Sequence, residues 1–194
     1  MFKKNELPKN IDESWTLFVD RDGVINKRII KGYVKNIDEF IFLPKVLDSF
    51  EIFNKIFGKI IIVTNQQGVG KGIMTIEQLH EIHDFMKNEI ESNKGRVDKI
   101  YYCTDLHDSG SFYRKPEIGM ALKAKKNFKE ISFKKSIMVG DSVSDMIFGK
   151  KLRMKTVLIS EDTDFVKKYS KLIDLVFPTL FDFAIYIEKL KKSC

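Results

Sequence analysis

The chain has 194 residues, of which 43% are hydrophobic and 31% are charged, and its formal net charge is +7. This length suits one domain with a full hydrophobic core, and the 16 phenylalanines argue against a disordered chain. Its two cysteines are too few for a disulfide-stapled secreted scaffold, and its apolar runs are too short to cross a bilayer. We therefore expect a single domain over residues 1–194, with an N-terminal extension at 1–13, in the cytoplasm and without a membrane partner.

The positive charge does not by itself indicate nucleic-acid binding. Only five of the 34 basic residues are arginines, and the lysines are scattered along the whole chain. Scattered lysines are typical of solvated helix faces, whereas phosphate recognition favours clustered arginines. We therefore do not expect a nucleic-acid partner.

Short apolar runs alternate along the chain with segments of helical spacing. The runs predict buried strands at residues 16–20, 59–65, 99–103, 136–140, 155–160 and 174–177. Apolar residues three and four apart predict helices at residues 44–57, 75–91, 117–127, 144–152 and 180–192. This alternation predicts an α/β domain, a three-layer Rossmann-like fold with a central parallel sheet of about six strands. Because ligands bind beyond the carboxyl ends of such strands, the residues that follow each strand are the candidates for a site.

Two carboxylates, Asp20 and Asp22, follow the first strand, and Gly23 after them lets the backbone turn tightly. In one pocket, one carboxylate can attack as a nucleophile while the other moves a proton. A second acidic pair, Asp162 and Asp164, also follows a strand but has no glycine beside it. A solvated acidic turn is the alternative for either pair.

The other strand ends carry groups suited to phosphate and to a hard cation. The second strand ends at Thr64 and leads into a glycine-rich stretch, which offers donors to phosphate oxygens or is simply a flexible loop. Arg114 and Lys115 precede a helix, where cations favour an anion, although a basic pair is often only surface. Asp141 and Asp145 follow the fourth strand, either as cation ligands or as helix caps. Together these groups predict phosphoryl transfer to an aspartate with Mg²⁺.

The order of these motifs resembles the haloacid dehalogenase superfamily of phosphohydrolases over residues 16–145. D-x-D-G, T-N-Q, K-P and G-D-x-x-x-D occur in the order found in that superfamily. The longer strings DRDGVIN, VTNQQGVGKG, RKPEIGM and MVGDSVSDM are similar to its histidinol-phosphatase-like branch, and within it to the D-glycero-D-manno-heptose 1,7-bisphosphate phosphatases. The resemblance implies a Mg²⁺-dependent enzyme that removes the 7-phosphate of the heptose bisphosphate, in nucleotide-heptose synthesis for lipopolysaccharide or surface glycans.

The resemblance also implies a role for each motif residue. Asp20 is the implied nucleophile, which forms an aspartyl-phosphate, and Asp22 is the implied acid that protonates the leaving oxygen and then activates water. Thr64 and Lys115 hold the phosphoryl group in this scheme. The implied Mg²⁺ ligands are the carboxylate of Asp20, the backbone carbonyl of Asp22 and the carboxylate of Asp141.

Further positions match family residues that orient the site or contact substrate. Asp145 orients the site in the family scheme without binding the ion. The positions that match substrate contacts are Gly32, Tyr33, Asn65, Gln66 and Arg114. Apart from the resemblance, the second phosphate of a bisphosphate needs its own cations, and our hypothesis names Arg114, with Arg28, Lys31 or Lys71 as candidates from the loops.

One departure from the family pattern concerns a zinc loop. Relatives often carry C-x-H followed by C-x-C before R-K-P, whereas this chain has one cysteine, Cys103, and one histidine, His107, in that stretch. Two ligands do not complete a four-ligand site, so we expect no structural zinc. His80 and His83, three residues apart on a predicted helix, are expected to be solvated rather than metal-binding.

Three other functions stay open at this point. Histidinol-phosphate phosphatase is a near neighbour in the branch, and polynucleotide 3′-phosphatase has similar T-N-Q-x-G-x-G-x-G and Y-R-K-P stretches. A phospho-accepting receiver domain is the non-enzymatic alternative, although receivers are shorter and lack D-x-D-G. No stretch between the motifs is long enough for a cap domain, so we expect an open site screened by loops at 26–38, 68–75 and 104–113. We expect a monomer that acts on a small phosphorylated sugar.

Overall fold

The computed structural model describes residues 7–8 and 10–192. Residues 1–6, 9, 193 and 194, which include much of the predicted N-terminal extension and Cys194, lie outside the described residues. Leu7 and Ile11, from the same predicted extension, are buried in the main hydrophobic cluster. This part of the extension therefore packs on the domain.

A parallel sheet of six strands runs through the described residues. The strands are β1 (Thr16–Val19), β2 (Lys59–Asn65), β3 (Lys99–Cys103), β4 (Ser136–Gly140), β5 (Lys155–Ile159) and β6 (Leu175–Phe177). Their order is β3-β2-β1-β4-β5-β6, and Val19 of β1 pairs with Ile62 of β2 on one side and Val139 of β4 on the other. The carboxyl ends of β1, β2 and β4 therefore lie side by side, and the predicted α/β sheet is confirmed.

Six α-helices lie between the strands in the described part of the chain, and a seventh follows the last strand. They are α1 (Val46–Asn54), α2 (Gln67–Gly70), α3 (Ile76–Ser92), α4 (Gly119–Asn127), α5 (Val143–Lys151), α6 (Thr163–Lys168) and α7 (Leu180–Lys192). Short 3₁₀ turns lie at Ile37–Glu39, Phe133–Lys135 and Ser170–Leu172. Within residues 7–8 and 10–192, no helix combines the length and the apolar content needed to span a membrane.

The second acidic pair begins a helix instead of forming a site. The Asp162 carboxylate accepts hydrogen bonds from the backbone N–H groups of Asp164 and Phe165, at 2.9 and 3.0 Å, and so caps α6. Helix α6 was not predicted, because its six residues are too few to show a clear apolar period. Only the pair at the end of β1 remains as a candidate for chemistry.

Alternate side chains of β1 enter two separate hydrophobic layers. Leu17 and Val19 lie in the cluster that contains Phe50 of α1 and Phe183 of α7, whereas Phe18 lies in the cluster that contains Phe148 of α5. This alternation follows from the two-residue period of a strand and buries both faces of the sheet. The result is the predicted three-layer arrangement, which holds the end of β1 at the centre of one edge.

The expectation that His83 is solvated is wrong. His83 is only 4% exposed, because it lies four residues after Leu79 and three before Met86, on the buried face of α3. Its Nε2 atom lies 3.2 Å from Nη1 of Arg21, and since arginine only donates, Nε2 accepts. His80 is exposed, as expected.

Candidate active site

A cleft of about 320 Å³ opens at the carboxyl end of the sheet. Nine of the predicted site residues line it: Asp20, Asp22, Gly32, Tyr33, Thr64, Asn65, Gln66, Arg114 and Lys115. The cleft lies at the end of β1, between the ends of its two neighbours in the sheet, β2 and β4. A larger groove of about 870 Å³ lies along β3, but none of those nine residues lines it.

Lys115 joins two carboxylates at the base of the cleft. Its Nζ atom lies 2.8 Å from Oδ1 of Asp20, 2.6 Å from Oδ1 of Asp145 and 2.7 Å from the carbonyl oxygen of Val63. Lys115 is only 3% exposed. Burial alone lowers the pKa of Lys115, but Asp145 and Asp20 outweigh burial and hold this pKa above its usual value. The ammonium group is therefore charged and has an acceptor for each of its three protons.

The surroundings of Asp20 disfavour a negative charge on its carboxylate. Burial, followed by the nearby charge of Asp145, raises the pKa of Asp20 to about 6, although Lys115 acts in the opposite direction. The backbone N–H of Arg21 donates to Oδ1 of Asp20 at 2.7 Å. The Asp20 carboxylate is thus oriented by the Lys115 ammonium and the Arg21 N–H, and these two partners only partly offset its negative charge.

Asp22 is held by three neighbouring side chains. Arg21 Nη2 lies 3.0 and 3.1 Å from its two oxygens, Asn26 Nδ2 donates to Oδ1 at 2.9 Å, and Gln66 Nε2 donates to Oδ2 at 2.7 Å. Burial acts to raise the pKa of Asp22, but the Arg21 charge and these hydrogen bonds outweigh burial and hold the pKa below its usual value. Two carboxylates two residues apart therefore have opposite pKa shifts.

Arg21 and His83 are site residues that the sequence analysis missed. Arg21 is 1% exposed, and it links His83 to Asp22 while its guanidinium lies 5.9 Å from the centre of the Phe40 ring. The position of Arg21 between two strand-end acids, and the position of His83 on an apolar helix face, were the available signals. The buried arginine fixes the orientation of Asp22.

The amides after β2 already have protein partners. Asn65 Nδ2 donates to the Lys115 carbonyl at 3.0 Å, and the Lys115 N–H donates to Asn65 Oδ1 at 2.9 Å. Gln66 Nε2 donates to Thr64 Oγ1 at 2.8 Å as well as to Asp22. These contacts position Lys115, Thr64 and Asp22, and the expected contacts of Asn65 and Gln66 with substrate stay a prediction.

The remaining predicted substrate contacts lie at the mouth of the cleft. Tyr33 is half-buried and has the Lys71 ammonium 5.7 Å from its ring centre. Arg114 is half-buried, and its Nη1 donates to the Asp105 carbonyl at 3.1 Å. Gly32 is also half-buried, with little room beside it because a Cβ atom there would lie 2.6 Å from Ile29.

Three carboxylates offer oxygen ligands for a cation. Asp20, Asp141 and Asp145 each place one oxygen so that all three lie within 4.8 Å of one another. Both oxygens of Asp145 are engaged, Oδ1 by Lys115 and Oδ2 by the N–H and the hydroxyl of Ser142 at 3.1 and 2.6 Å. Asp20 and Asp141 are the better ligands. Hard carboxylate oxygens are the donors that Mg²⁺ prefers, so this cluster fits a magnesium ion.

The pKa of Asp141 is raised further than that of Asp20. Burial, followed by the charge of Asp20, raises its pKa to about 8, and Arg28 acts in the opposite direction. Arg28 Nη2 lies 2.7 Å from Oδ1 of Asp141 and donates to the backbone carbonyl of Asp22 at 2.9 Å. The acidic cluster therefore depends on nearby positive charge.

These shifts predict how the stability of the metal-free protein changes with pH. The folded-state pKa values of Asp20 and Asp141 are raised above 3.8, so the folded state holds protons that the unfolded state has released. The stability that these two carboxyl groups contribute is therefore present at low pH and is lost as pH rises from about 4 to about 8. We expect the Tm in chelator to fall by about 5 °C or more over that range, as measured by thermal melting. Asp141→Asn should make the decline smaller, and an equal decline in this variant would contradict the assignment.

Gly23 allows the backbone to pass close to Asp141. Its φ is +91°, and a Cβ atom there would lie 1.9 Å from Asp141 Oδ2. We expect Gly23→Ala to displace the Asp141 carboxylate and to weaken Mg²⁺ binding by about tenfold or more, as measured by calorimetry.

A matched control for this variant is Gly72→Ala. Gly72 also has a positive φ, +66°, but a Cβ atom there meets nothing within 4 Å. It reproduces the backbone strain of about 1–2 kcal/mol without the collision. Equal Mg²⁺ affinity in the two variants would contradict a cradling role for Gly23.

The stretch that corresponds to the zinc loop of relatives carries no cluster of metal ligands within the residues described. Cys103 Sγ is buried and lies 3.7 Å from Ser111 Oγ, whereas the His107 side chain is 79% exposed. The grouping of potential ligands found in the described chain is the acidic cluster alone. The absence of structural zinc stays a prediction, and elemental analysis of the purified protein measures it.

Comparison with known proteins gives matches along most of the chain. A model of the polynucleotide kinase 3 phosphatase family matches residues 17–181. The chain is 35% identical over 164 residues to the D-glycero-alpha-D-manno-heptose-1,7-bisphosphate 7-phosphatase of Campylobacter jejuni, which covers 82% of this chain and 92% of that protein. It is 32% identical over 183 residues to the D-glycero-beta-D-manno-heptose-1,7-bisphosphate 7-phosphatase of Haemophilus influenzae, which covers 91% and 98%. The chain belongs to the heptose-bisphosphate phosphatase family of the haloacid dehalogenase superfamily.

A solved structure of this family has the same fold. The crystal structure of D,D-heptose 1,7-bisphosphate phosphatase from B. bronchiseptica, complexed with magnesium and phosphate, matches with a TM-score of 0.79 and 26% identity, covering 93% of this chain and 99% of that one. The prediction of a haloacid dehalogenase phosphatase is confirmed. Family membership favours an enzyme over the receiver-domain alternative.

Proposed function

We propose that this phosphatase removes the 7-phosphate of D-glycero-D-manno-heptose 1,7-bisphosphate in a Mg²⁺-dependent reaction. The observation that carries the chemistry is the ion pair of Lys115 with Asp20 at the end of the central strand, next to Asp22. The substrate assignment is supported by similarity to heptose-bisphosphate phosphatases over 82% and 91% of the chain. Relatives named for the alpha anomer and for the beta anomer are both similar, so both anomers belong in the test.

In this proposal Asp20 attacks the phosphorus of the substrate. A bond forms between a carboxylate oxygen of Asp20 and phosphorus, and the bond from phosphorus to the sugar oxygen breaks. Lys115 offsets the repulsion between the Asp20 carboxylate and the anionic phosphoryl group, from 2.8 Å away. Thr64, held by Gln66, donates its hydroxyl to a phosphoryl oxygen. The products of this step are an aspartyl-phosphate on Asp20 and a heptose that keeps its 1-phosphate.

Asp22 moves the proton in both steps. Its low pKa in the free protein comes from the Arg21 charge and from the hydrogen bonds of Asn26, Arg21 and Gln66. An arriving phosphate adds negative charge, which raises this pKa and favours the protonated form. Protonated Asp22 gives its proton to the leaving sugar oxygen. The Asp22 carboxylate then takes a proton from water, which attacks the aspartyl-phosphate and releases inorganic phosphate with Asp20 restored.

Asp20, Asp141 and the backbone carbonyl of Asp22 hold the magnesium ion in this proposal. The bound ion offsets the negative charge of the transferring phosphoryl group. Asp145 acts on Lys115 instead, because both of its oxygens are engaged by Lys115 and Ser142. Its role is to keep Lys115 charged and oriented.

The cleft mouth suits the second phosphate and the sugar. Arg114 and Lys71 carry positive charge there, beside Tyr33 and Gly32. A cleft of about 320 Å³ lies near the lower end of the range of roughly 300–1,000 Å³ for small-molecule sites. This size favours a sugar phosphate. We further propose a monomer in the cytoplasm that serves nucleotide-heptose synthesis, a location supported by the free thiol of Cys103.

A substrate comparison tests the proposal. Phosphate release with Mg²⁺ is measured for both anomers of heptose 1,7-bisphosphate, for histidinol phosphate and for a 3′-phosphorylated oligonucleotide. We expect kcat/KM for one heptose bisphosphate to exceed the other classes by about a hundredfold or more. A higher kcat/KM for histidinol phosphate would overturn the substrate assignment and keep the chemistry.

Polynucleotide 3′-phosphatase is the second candidate. The observation that favours it is the match of residues 17–181 to the polynucleotide kinase 3 phosphatase family, together with a net charge of +7. Turnover of the 3′-phosphorylated oligonucleotide with a steep loss of affinity in salt identifies this function.

A further inference from the structure

Arg28 occupies an unusual position for a half-exposed side chain. Its Nη2 atom lies 2.7 Å from Oδ1 of Asp141 and 2.9 Å from the backbone carbonyl oxygen of Asp22. These two oxygens come from different strand ends and are two of the three groups proposed to bind magnesium. The guanidinium therefore contacts the same oxygens that a divalent cation needs.

The charge of the cluster explains why a cation binds there. Asp20, Asp141 and Asp145 bring three carboxylate oxygens within 4.8 Å of one another, and the ammonium of Lys115 contacts two of these residues, Asp20 and Asp145. One lysine does not neutralise three carboxylates, and their mutual repulsion is strong at a buried position. Arg28 supplies a second positive charge from the cleft side.

Breaking the ion pair of Arg28 with Asp141 requires little free energy. Its side chain is 47% exposed, whereas the Asp141 side chain that it contacts is 16% exposed. Half-exposed ion pairs contribute little stability, because water and salt screen them and the long side chain loses rotamer freedom in the pair. The arginine lies in the loop at 26–38 and lines the same cleft as the predicted substrate contacts.

We propose that Arg28 is a built-in competitor of Mg²⁺, which neutralises the carboxylate cluster in the metal-free protein and is displaced when the ion binds. This inference rests on the proposed function, because it requires the acidic cluster to be a magnesium site. Two cations that share the Asp141 and Asp22 oxygens lie close together and repel, so each weakens the binding of the other. By reciprocity, the arginine lowers the affinity for Mg²⁺ by the same factor by which Mg²⁺ drives the arginine away.

Calorimetric titration of the chelator-treated protein with MgCl₂ tests this inference without any substrate. We expect Arg28→Gln to bind Mg²⁺ about fivefold or more tightly than the natural protein does. The matched control is Lys27→Gln, which removes one positive charge from the adjacent exposed residue. The Lys27 side chain takes part in none of the ion pairs recorded for the described chain. Its Mg²⁺ affinity should stay within about twofold of the natural protein, since the Lys27 charge is exposed, contacts none of the three carboxylates and is screened by water and salt.

Thermal melting provides a second readout that does not depend on calorimetry. Arg28→Gln should melt at a lower temperature than the natural protein in chelator, and should gain more in Tm when Mg²⁺ is added, because ligand stabilisation grows with affinity. Lys27→Gln should behave as the natural protein does in both conditions.

The failures of the two proposals are distinguishable. Equal Mg²⁺ affinity in Arg28→Gln and the natural protein, with phosphatase activity measured in the natural protein, overturns the competitor role and leaves the proposed function standing. If Lys27→Gln binds Mg²⁺ as tightly as Arg28→Gln does, the competitor role is also overturned, because the loss of any positive charge nearby would then explain the higher affinity. No Mg²⁺ binding in any of the three proteins overturns both proposals.

Discussion

Replacing Asp20 with asparagine should abolish phosphate release and leave the protein folded. The amide of Asn is not a nucleophile toward phosphorus, so we expect kcat to fall by about 10⁴-fold or more. The free energy of unfolding at neutral pH should not fall, because burial raises the pKa of Asp20 to about 6 and the folded state therefore disfavours its charge. Phosphate-release kinetics and thermal melting of the same preparation measure the two effects.

The matched control for Asp20→Asn is Asp164→Asn. Asp164 belongs to the other acidic pair that follows a strand, its side chain is 90% exposed, and it lies at the start of α6 and not in the cleft. This variant should keep full activity. If Asp20→Asn retained more than about a hundredth of the activity, the aspartyl-phosphate chemistry would be wrong.

Replacing Lys115 with methionine should both inactivate and strongly destabilise the protein. The ammonium is the partner of Asp20 at 2.8 Å and of Asp145 at 2.6 Å, and all three groups are buried. Removing one partner leaves buried carboxylates uncompensated, which costs about 3–5 kcal/mol. Urea denaturation measures the loss, and we expect it to be smaller at low pH, where the carboxylates take up protons.

Lys126→Met is the comparison for this stability effect. Lys126 is exposed on α4, the helix that follows Lys115, so its replacement should change the free energy of unfolding by about 0.5 kcal/mol or less. A loss below about 1 kcal/mol in Lys115→Met would show that the buried ion pairs do not hold the site together.

Local patterns predicted the architecture because they follow the period of each element. The strands at Lys59–Asn65, Lys99–Cys103 and Ser136–Gly140 were predicted with the bounds that the structure gives. Buried parallel strands read as continuous apolar runs, and such runs are unambiguous when turn residues follow them. Helix α2 was missed, since four residues with two glycines show no period.

Long-range partners were not available from local patterns. The motif pattern predicted that its residues share one edge of the sheet, because topology alone places the ends of parallel strands together. It did not predict that His83 meets Arg21, which lies 62 positions earlier, or that Arg28 meets Asp141, which lies 113 positions later. These contacts depend on how side chains of separate elements pack, and one chain read along its length carries no direct signal of them.

The two oxygens of Asp145 have different duties, and this division bears on how the protein can change in evolution. One oxygen fastens the Ser142 turn that begins α5, and the other holds Lys115. Loss of Asp145 therefore disturbs a helix start as well as the reaction, whereas loss of Asp20 removes a buried charge that the fold disfavours. In descendants of this protein that no longer act as enzymes, we accordingly expect Asp20 to be replaced first and Asp145 to be retained for its structural contacts.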